Sequence, residues 1–347
     1  MDIVNDFWLH NPEECLTKLD SFASASKYPV KTIRYGTSFN DRELVALQAG
    51  TGPLNVVIVG GMHAAELVSG FGMLAFAYSL TSGRTLDGED IDDWLRSLYE
   101  RQTITLVPVH NIDGAVRMSK FLPGCYTRNR FDGSDMDAYS HFVRDPIQRF
   151  GLTRGVDHFL TEEQVRIWVE DEGGMLGQLW SDQGVDLFED WVNLRAPETQ
   201  GLRKLLDGIR PHCIFEMHNH EVQTQMFVPI PAAEGSDRFV QVQYGEEMMT
   251  ALMDAEIPCS RHSTHMYSWP ESMNQFPNAV YRRYGCLVLF AEICFGLTLD
   301  AQREMAKKNP LSKRDADARE PTQEEALRGV WIWLKTLIDM GGERGYQ

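Results

Sequence analysis

Short apolar runs rich in β-branched residues alternate along this chain with longer stretches of helical period. The most continuous run is Val56 to Val59, in LNVVIVGGMHAAELVSG (54–70), and its lack of alternation predicts a strand buried on both faces. Gly60 and Gly61 turn the chain out of that strand, and a helix is expected from about 65 to 80. Upstream, Asn11 and Pro12 announce a helix over 11–24. VKTIRYG (30–36) and RELVALQAG (42–50) read as a hairpin joined by TSFND. Downstream, DGEDIDDWLRSLYE predicts a helix, and TITLVPV (103–109) a buried strand that delivers HNIDG. A further helix starts at Pro197 in APET and runs through LRKLLDGI. HCIFEMHNHE is a strand ending in histidines, 238–256 a helix, and GCLVLFAEI (285–293) a last buried strand. The closing helix, 322–340, carries an apolar face of Leu327, Val330, Trp331, Leu334 and Leu337.

Strands alternating with helices predict an α/β fold with a mixed, mostly parallel central sheet and helices on both faces. The hairpin start makes one edge antiparallel. From about 123 to 182 the period is lost, apart from the helical TEEQVRIWVED. This stretch is read as an insertion on the active-site side of a single domain spanning 1–347. No internal repeat or low-complexity tract interrupts the chain.

Composition narrows the function classes. The apolar fraction of 43% is ordinary for a globular protein of 347 residues. No run approaches the roughly eighteen apolar residues of a membrane helix. The acidic beginning, MDIVNDFWLHNPEECLTKLD, lacks a basic stretch followed by an apolar core, so no signal peptide is read and a cytoplasmic protein is expected. A formal net charge of −17 argues against nucleic acid and anionic membranes as partners. The six cysteines are scattered without a CxxC pair and are expected to be buried thiols.

Three places carry chemistry. His63 and Glu66 stand three residues apart at the exit of the buried strand, where a first helical turn points both side chains one way. An imidazole and a carboxylate at a strand's carboxyl end suit zinc, and open α/β sheets collect ligands there. A third ligand is expected from another strand end, His218 or His220. Their period-two spacing puts both on one face and leaves the choice open, with His218 preferred. Glu292 interrupts the apolar LVLFAEICF. A bare carboxylate there is costly, so it is expected to be paired, metal-linked or functional, and it is the candidate general base.

In this order the motifs resemble those of the zinc carboxypeptidase family, the funnelin-type metallopeptidases and their deacylase relatives. GTSFNDRELVAL is similar to the family's GxSxxGRxL, GGMHAAE to its G-x-HxxE, and VPVHNIDG to its NPDG strand end. GVDLFEDW is similar to GVDLNRNF, APETQGL to a SEPET helix start, IFEMHNH to a DLH strand, and LFAEICFG to the final glutamate strand. The resemblance covers roughly residues 33 to 296.

It implies that His63, Glu66 and His218 hold one zinc per chain, with a water in the fourth place, and that Glu292 is general base and acid. An arginine after the NPDG-like segment would polarise the scissile carbonyl. Arg128 of CYTRNR is preferred, with Arg130 and Arg117 as alternatives. Phe188 and Glu189 replace the Asn–Arg pair that grips a substrate's terminal carboxylate in the family. A glutamate repels where an arginine clamps. Either Arg195, Arg282 or Arg283 supplies the clamp, or the substrate offers an amine or neutral group to Glu189 and Asp190. Arg130 and a tyrosine complete the expected substrate contacts; Tyr281 is preferred over Tyr267 and Tyr284.

The expected activity is therefore zinc-dependent hydrolysis of an amide bond in a small peptide or N-acyl amino acid, other than standard C-terminal trimming. The alternative is a catalytically silent binding protein of the same fold. A zinc-free α/β hydrolase is excluded by the lack of a GxSxG elbow. Oligomeric state is left open.

Overall fold

Val56 to Val59 lie at the centre of the molecule with no exposed surface, as an unbroken apolar run predicts for a strand covered on both sides. The computed structural model describes residues 2–121, 149–151, 159–171, 176, 180–220, 224–259, 272–294 and 321–346. Its strands are β1 (Val30–Thr37), β2 (Glu43–Ala49), β3 (Leu54–Gly60), β4 (Gln102–Val107), β5 (Cys213–His220), β6 (Gln225–Met226) and β7 (Leu287–Cys294). They form one 7-stranded sheet in the order β1-β2-β4-β3-β5-β7-β6.

The middle of the sheet, β4, β3, β5 and β7, is parallel. β1 and β2 form the expected antiparallel hairpin at one edge. The other edge is antiparallel as well, through the two-residue β6 against β7, a strand too short for the sequence pattern to reveal.

Because β3 lies between β4 and β5, the connection to β4 and the later one to β5 cross the sheet in opposite directions. Right-handed crossovers then put their helices on opposite faces. The carboxyl end of β3 is a switch point, where an open α/β sheet leaves a crevice for ligands.

The helix leaving that crevice, Val68–Ser82, is buried along nearly its whole length. It lies between the sheet and the closing helix Gln323–Arg344, whose Leu327, Val330, Leu334 and Leu337 are buried, with Trp331 partly so. Two helices not anticipated from the sequence are Ile112–Phe121, which begins inside the HNIDG segment, and Phe276–Tyr284, which precedes β7. Within the expected insertion, Leu160, Trp168, Leu176 and Trp180 form a small apolar cluster of their own. Among the described residues, no helix is long and apolar enough to cross a membrane.

Candidate metal centre and active site

The turn after β3 is set by two glycines. A Cβ on Gly60 would come 2.4 Å from the end of Met73, and Gly61 has φ +59°, a conformation L side chains rarely adopt. The amides of His110 and Asn111, at the exit of β4, donate to the carbonyls of Gly60 and Gly61 at 3.1 and 2.8 Å, which fixes the two strand ends together. The expected helical turn over His63 to Glu66 is a tight turn ahead of the helix. It closes by the Glu66 amide donating to the His63 carbonyl at 3.2 Å and still turns both side chains inward.

There they meet His218 from β5. Glu66 Oε1 is 2.8 Å from His63 Nδ1, Glu66 Oε2 is 2.7 Å from His218 Nδ1, and the two Nδ1 atoms are 3.2 Å apart. Two nitrogens and an oxygen turned toward one point suit a single tetrahedral zinc ion, whose ligand atoms stand roughly 3.3 Å apart. Burial alone would raise the Glu66 carboxyl, but the two imidazoles override it and hold the acid well below its usual range. Burial would lower the His218 imidazole, yet Glu216 and Glu66 raise it well above its ordinary value.

Around this cluster the site is apolar on one side and acidic on the other. The ring of Phe188 meets His63 and His218 edge-on, at centroid distances of 5.8 and 5.4 Å, and Phe290 lies 5.0 Å from His218. Asp186 Oδ1 is 3.9 Å from His63 Nε2, and Glu216 Oε1 is 2.9 Å from His218 Nε2. Glu292 is buried on β7, directly opposite His218 in the parallel ladder, so the two share a face of the sheet.

Farther out, Asp113 of HNIDG accepts from Ser38 Oγ, the Asn40 amide and Arg42 Nη1, at 2.8, 2.8 and 2.7 Å. Glu198 accepts from the Phe39 amide at 3.0 Å. The GTSFNDREL loop is thus tied to two other motifs, HNIDG and APET.

A profile of the zinc carboxypeptidase family matches residues 16–225, more than half of the chain. The chain belongs to the zinc carboxypeptidase family. Solved structures share its fold. A metallo-carboxypeptidase from Burkholderia cenocepacia is 16% identical over 94% of this chain and 68% of that one, with a TM-score of 0.60. A metallo-carboxypeptidase from Pseudomonas aeruginosa in complex with (2-guanidinoethylmercapto)succinic acid is 14% identical over 94% and 68%, with a TM-score of 0.59. Carboxypeptidase A from Helicoverpa armigera is 15% identical over 97% and 74%, with a TM-score of 0.59. No curated protein matches the chain by sequence.

Within this member of the family, the remaining expected site residues fall in different places. Glu189 is buried, and its Oε2 has no hydrogen-bond partner among the described residues. Both oxygens of Asp190 accept backbone amides, from Arg195 and Ala196 at 2.9 Å each, so this carboxylate braces the entry to the helix Pro197–Ile209. The Tyr281 hydroxyl donates to Asp237 at 2.7 Å and accepts from the Glu234 amide at 3.3 Å.

The arginines considered for the clamp have these partners among the described residues. Arg195 stacks on Phe159, Arg282 pairs with Glu234 at 2.8 Å, and Arg283 is held by Asp207. Arg117 donates to the Trp180 carbonyl at 2.8 Å and pairs with Asp182; burial pulls its guanidinium down to about 10. Arg128, Arg130, Tyr267 and the His220 side chain lie outside the described residues. Cys15, Cys213 and Cys286 are buried free thiols, as expected, and Cys259 is partly buried. Asp186 and Glu216 behind the two imidazoles escaped the sequence reading. The signal for Glu216 was its two-residue spacing from His218 on one strand.

Proposed function

We propose that this chain is a zinc-dependent amide hydrolase that takes a small peptide or an N-acyl amino acid and does not rely on a free terminal carboxylate. The observation that carries the reading is the meeting of His63, Glu66 and His218 at the switch point, with Glu292 in register on the next strand. His63, Glu66 and His218 would hold the ion. When bound, zinc acidifies a water and polarises a carbonyl. Glu292 takes the proton from the attacking water on its carboxylate and returns it to the leaving nitrogen. Arg128 is proposed to face the developing oxyanion. Phe188 gives the ligand rings an apolar wall that keeps bulk water from that side.

Glu189 sets the choice of substrate in this reading. A buried carboxylate repels a substrate carboxylate and favours an amide, ester or protonated amine in the same place. Zinc content and a hydrolysis screen test the proposal. The expected result is about one zinc per chain, faster cleavage of amidated peptides and N-acyl amino acid amides than of the same substrates with a free carboxylate, and loss of turnover in Glu292→Gln with zinc retained. Glu189→Arg should shift the preference toward free carboxylates by about tenfold or more, the effect of roughly 1.4 kcal/mol. Free-carboxylate peptides cleaved best by the unmodified chain would overturn the role of Glu189. Full turnover by Glu292→Gln would overturn the base.

A further inference from the structure

Glu216 and His218 stand two residues apart on β5, so strand alternation sends both side chains to one face. His218 meets Glu66 through Nδ1, and its other nitrogen, Nε2, lies 2.9 Å from Glu216 Oε1. Glu216 has no exposed surface, and its Oε2 has no hydrogen-bond partner among the described residues. A carboxylate buried in that way needs positive charge nearby. Among the described residues, its hydrogen-bond partner is the His218 ring, whose other nitrogen faces Glu66. The imidazole thus stands between two buried carboxylates, one at each ring nitrogen.

We infer that Glu216 is a positioning residue of the metal centre. By accepting the Nε2–H of His218 it keeps that proton on Nε2, leaves the Nδ1 lone pair for the cation and makes the imidazole a stronger donor. Behind His63, Asp186 Oδ1 stands 3.9 Å from Nε2, a longer approach than the 2.9 Å between Glu216 and His218. The inference rests on reading His63, Glu66 and His218 as zinc ligands.

Zinc dissociation constants, measured by competition with a chromophoric chelator on the full chain, test it alongside thermal unfolding of the metal-free proteins. Glu216→Gln keeps an acceptor oxygen and drops the charge, whereas Glu216→Leu drops both. Zinc binding should weaken about tenfold in the first and about a hundredfold in the second. A purely structural Glu216 would instead lower the unfolding temperature and leave zinc affinity within about twofold of the unmodified chain, and that result would overturn the inference. Should neither variant fold, nitrogen-15 spectra of the zinc-loaded unmodified protein decide. A proton on His218 Nε2 is expected; one on Nδ1 overturns the proposal. An unmodified chain that takes up no zinc would fail the ligand reading itself, an outcome distinct from equal affinities.

Discussion

Glu198 shows at the scale of one residue how this chain spends charge to hold its loops. It lies in the first turn of the helix Pro197–Ile209, has no exposed surface, and anchors the Phe39 amide. Burial pushes its carboxyl up to about 7 from an ordinary 4.5, with Asp113 and Asp190 adding to the rise against the pull of the Phe39 amide. Between those two values the folded chain keeps a proton that the unfolded chain has lost. Stability is therefore full below the lower value and declines as pH rises through the higher one. Glu198→Gln keeps a carbonyl for the Phe39 amide and cannot ionise. It should match the unmodified chain near pH 4 and exceed it by about 3 kcal/mol near pH 8 in urea unfolding. A constant gap at the two pH values would refute the assignment. The APET pattern marked Glu198 only as part of a helix start, because its proton affinity depends on neighbours brought from residues 39, 113 and 190. His63, Glu66 and His218 depend less on distant neighbours: His218 lies within a strand that opens on an apolar run, and His63 and Glu66 stand three residues apart just past one, after the Gly60–Gly61 turn.

At the scale of elements, the helix Val68–Ser82 links the metal ligands to the rest of the core, and its two glycines separate those connections. A Cβ on Gly70 would fall 2.3 Å from the Pro108 carbonyl oxygen, a backbone atom at the exit of β4. A Cβ on Gly72 would fall 2.3 Å from Val330 Cβ on the closing helix. Each Gly→Ala change is expected to destabilise the chain by about 1–3 kcal/mol, the usual cost of overpacking. Only Gly70→Ala should also weaken zinc binding, since it forces the ligand turn away from β4. Urea unfolding combined with zinc titration checks both, and equal zinc affinities would remove the link between helix entry and ligand turn. The helix body was readable from its period, but its first turn was not. The pattern began the helix at 65, whereas Val68 opens it, because Glu66 and Ser69 are engaged in closing the turn. Ile112–Phe121 and Phe276–Tyr284 were missed as helices because each is short and adjoins a motif that reads as loop.

For the molecule as a whole, the sheet order matters most. β3 and β5 bring together His63 and His218 from distant parts of the sequence, and β7 adds Glu292 from farther still. The buried runs made a mostly parallel sheet legible, but strand order had to come from the fold, since nothing local says that β4 turns back past β3. A cation shared by β3 and β5 binds only the folded chain, so it stabilises by mass action in proportion to the logarithm of its concentration over its Kd. With free zinc a thousandfold above Kd this is about 4 kcal/mol. For a chain of this size, removing the ion should lower Tm on the order of 5–10 °C, and added zinc should restore it. The loss should also be local. Hydrogen exchange should quicken at 62–67 and 216–219, where the ligands leave their strands, and stay unchanged along the β1–β2 hairpin, which contributes no ligand. Uniform loosening of every strand would mean that the ion supports the whole sheet, and no change in Tm would mean that the two strand ends close without it.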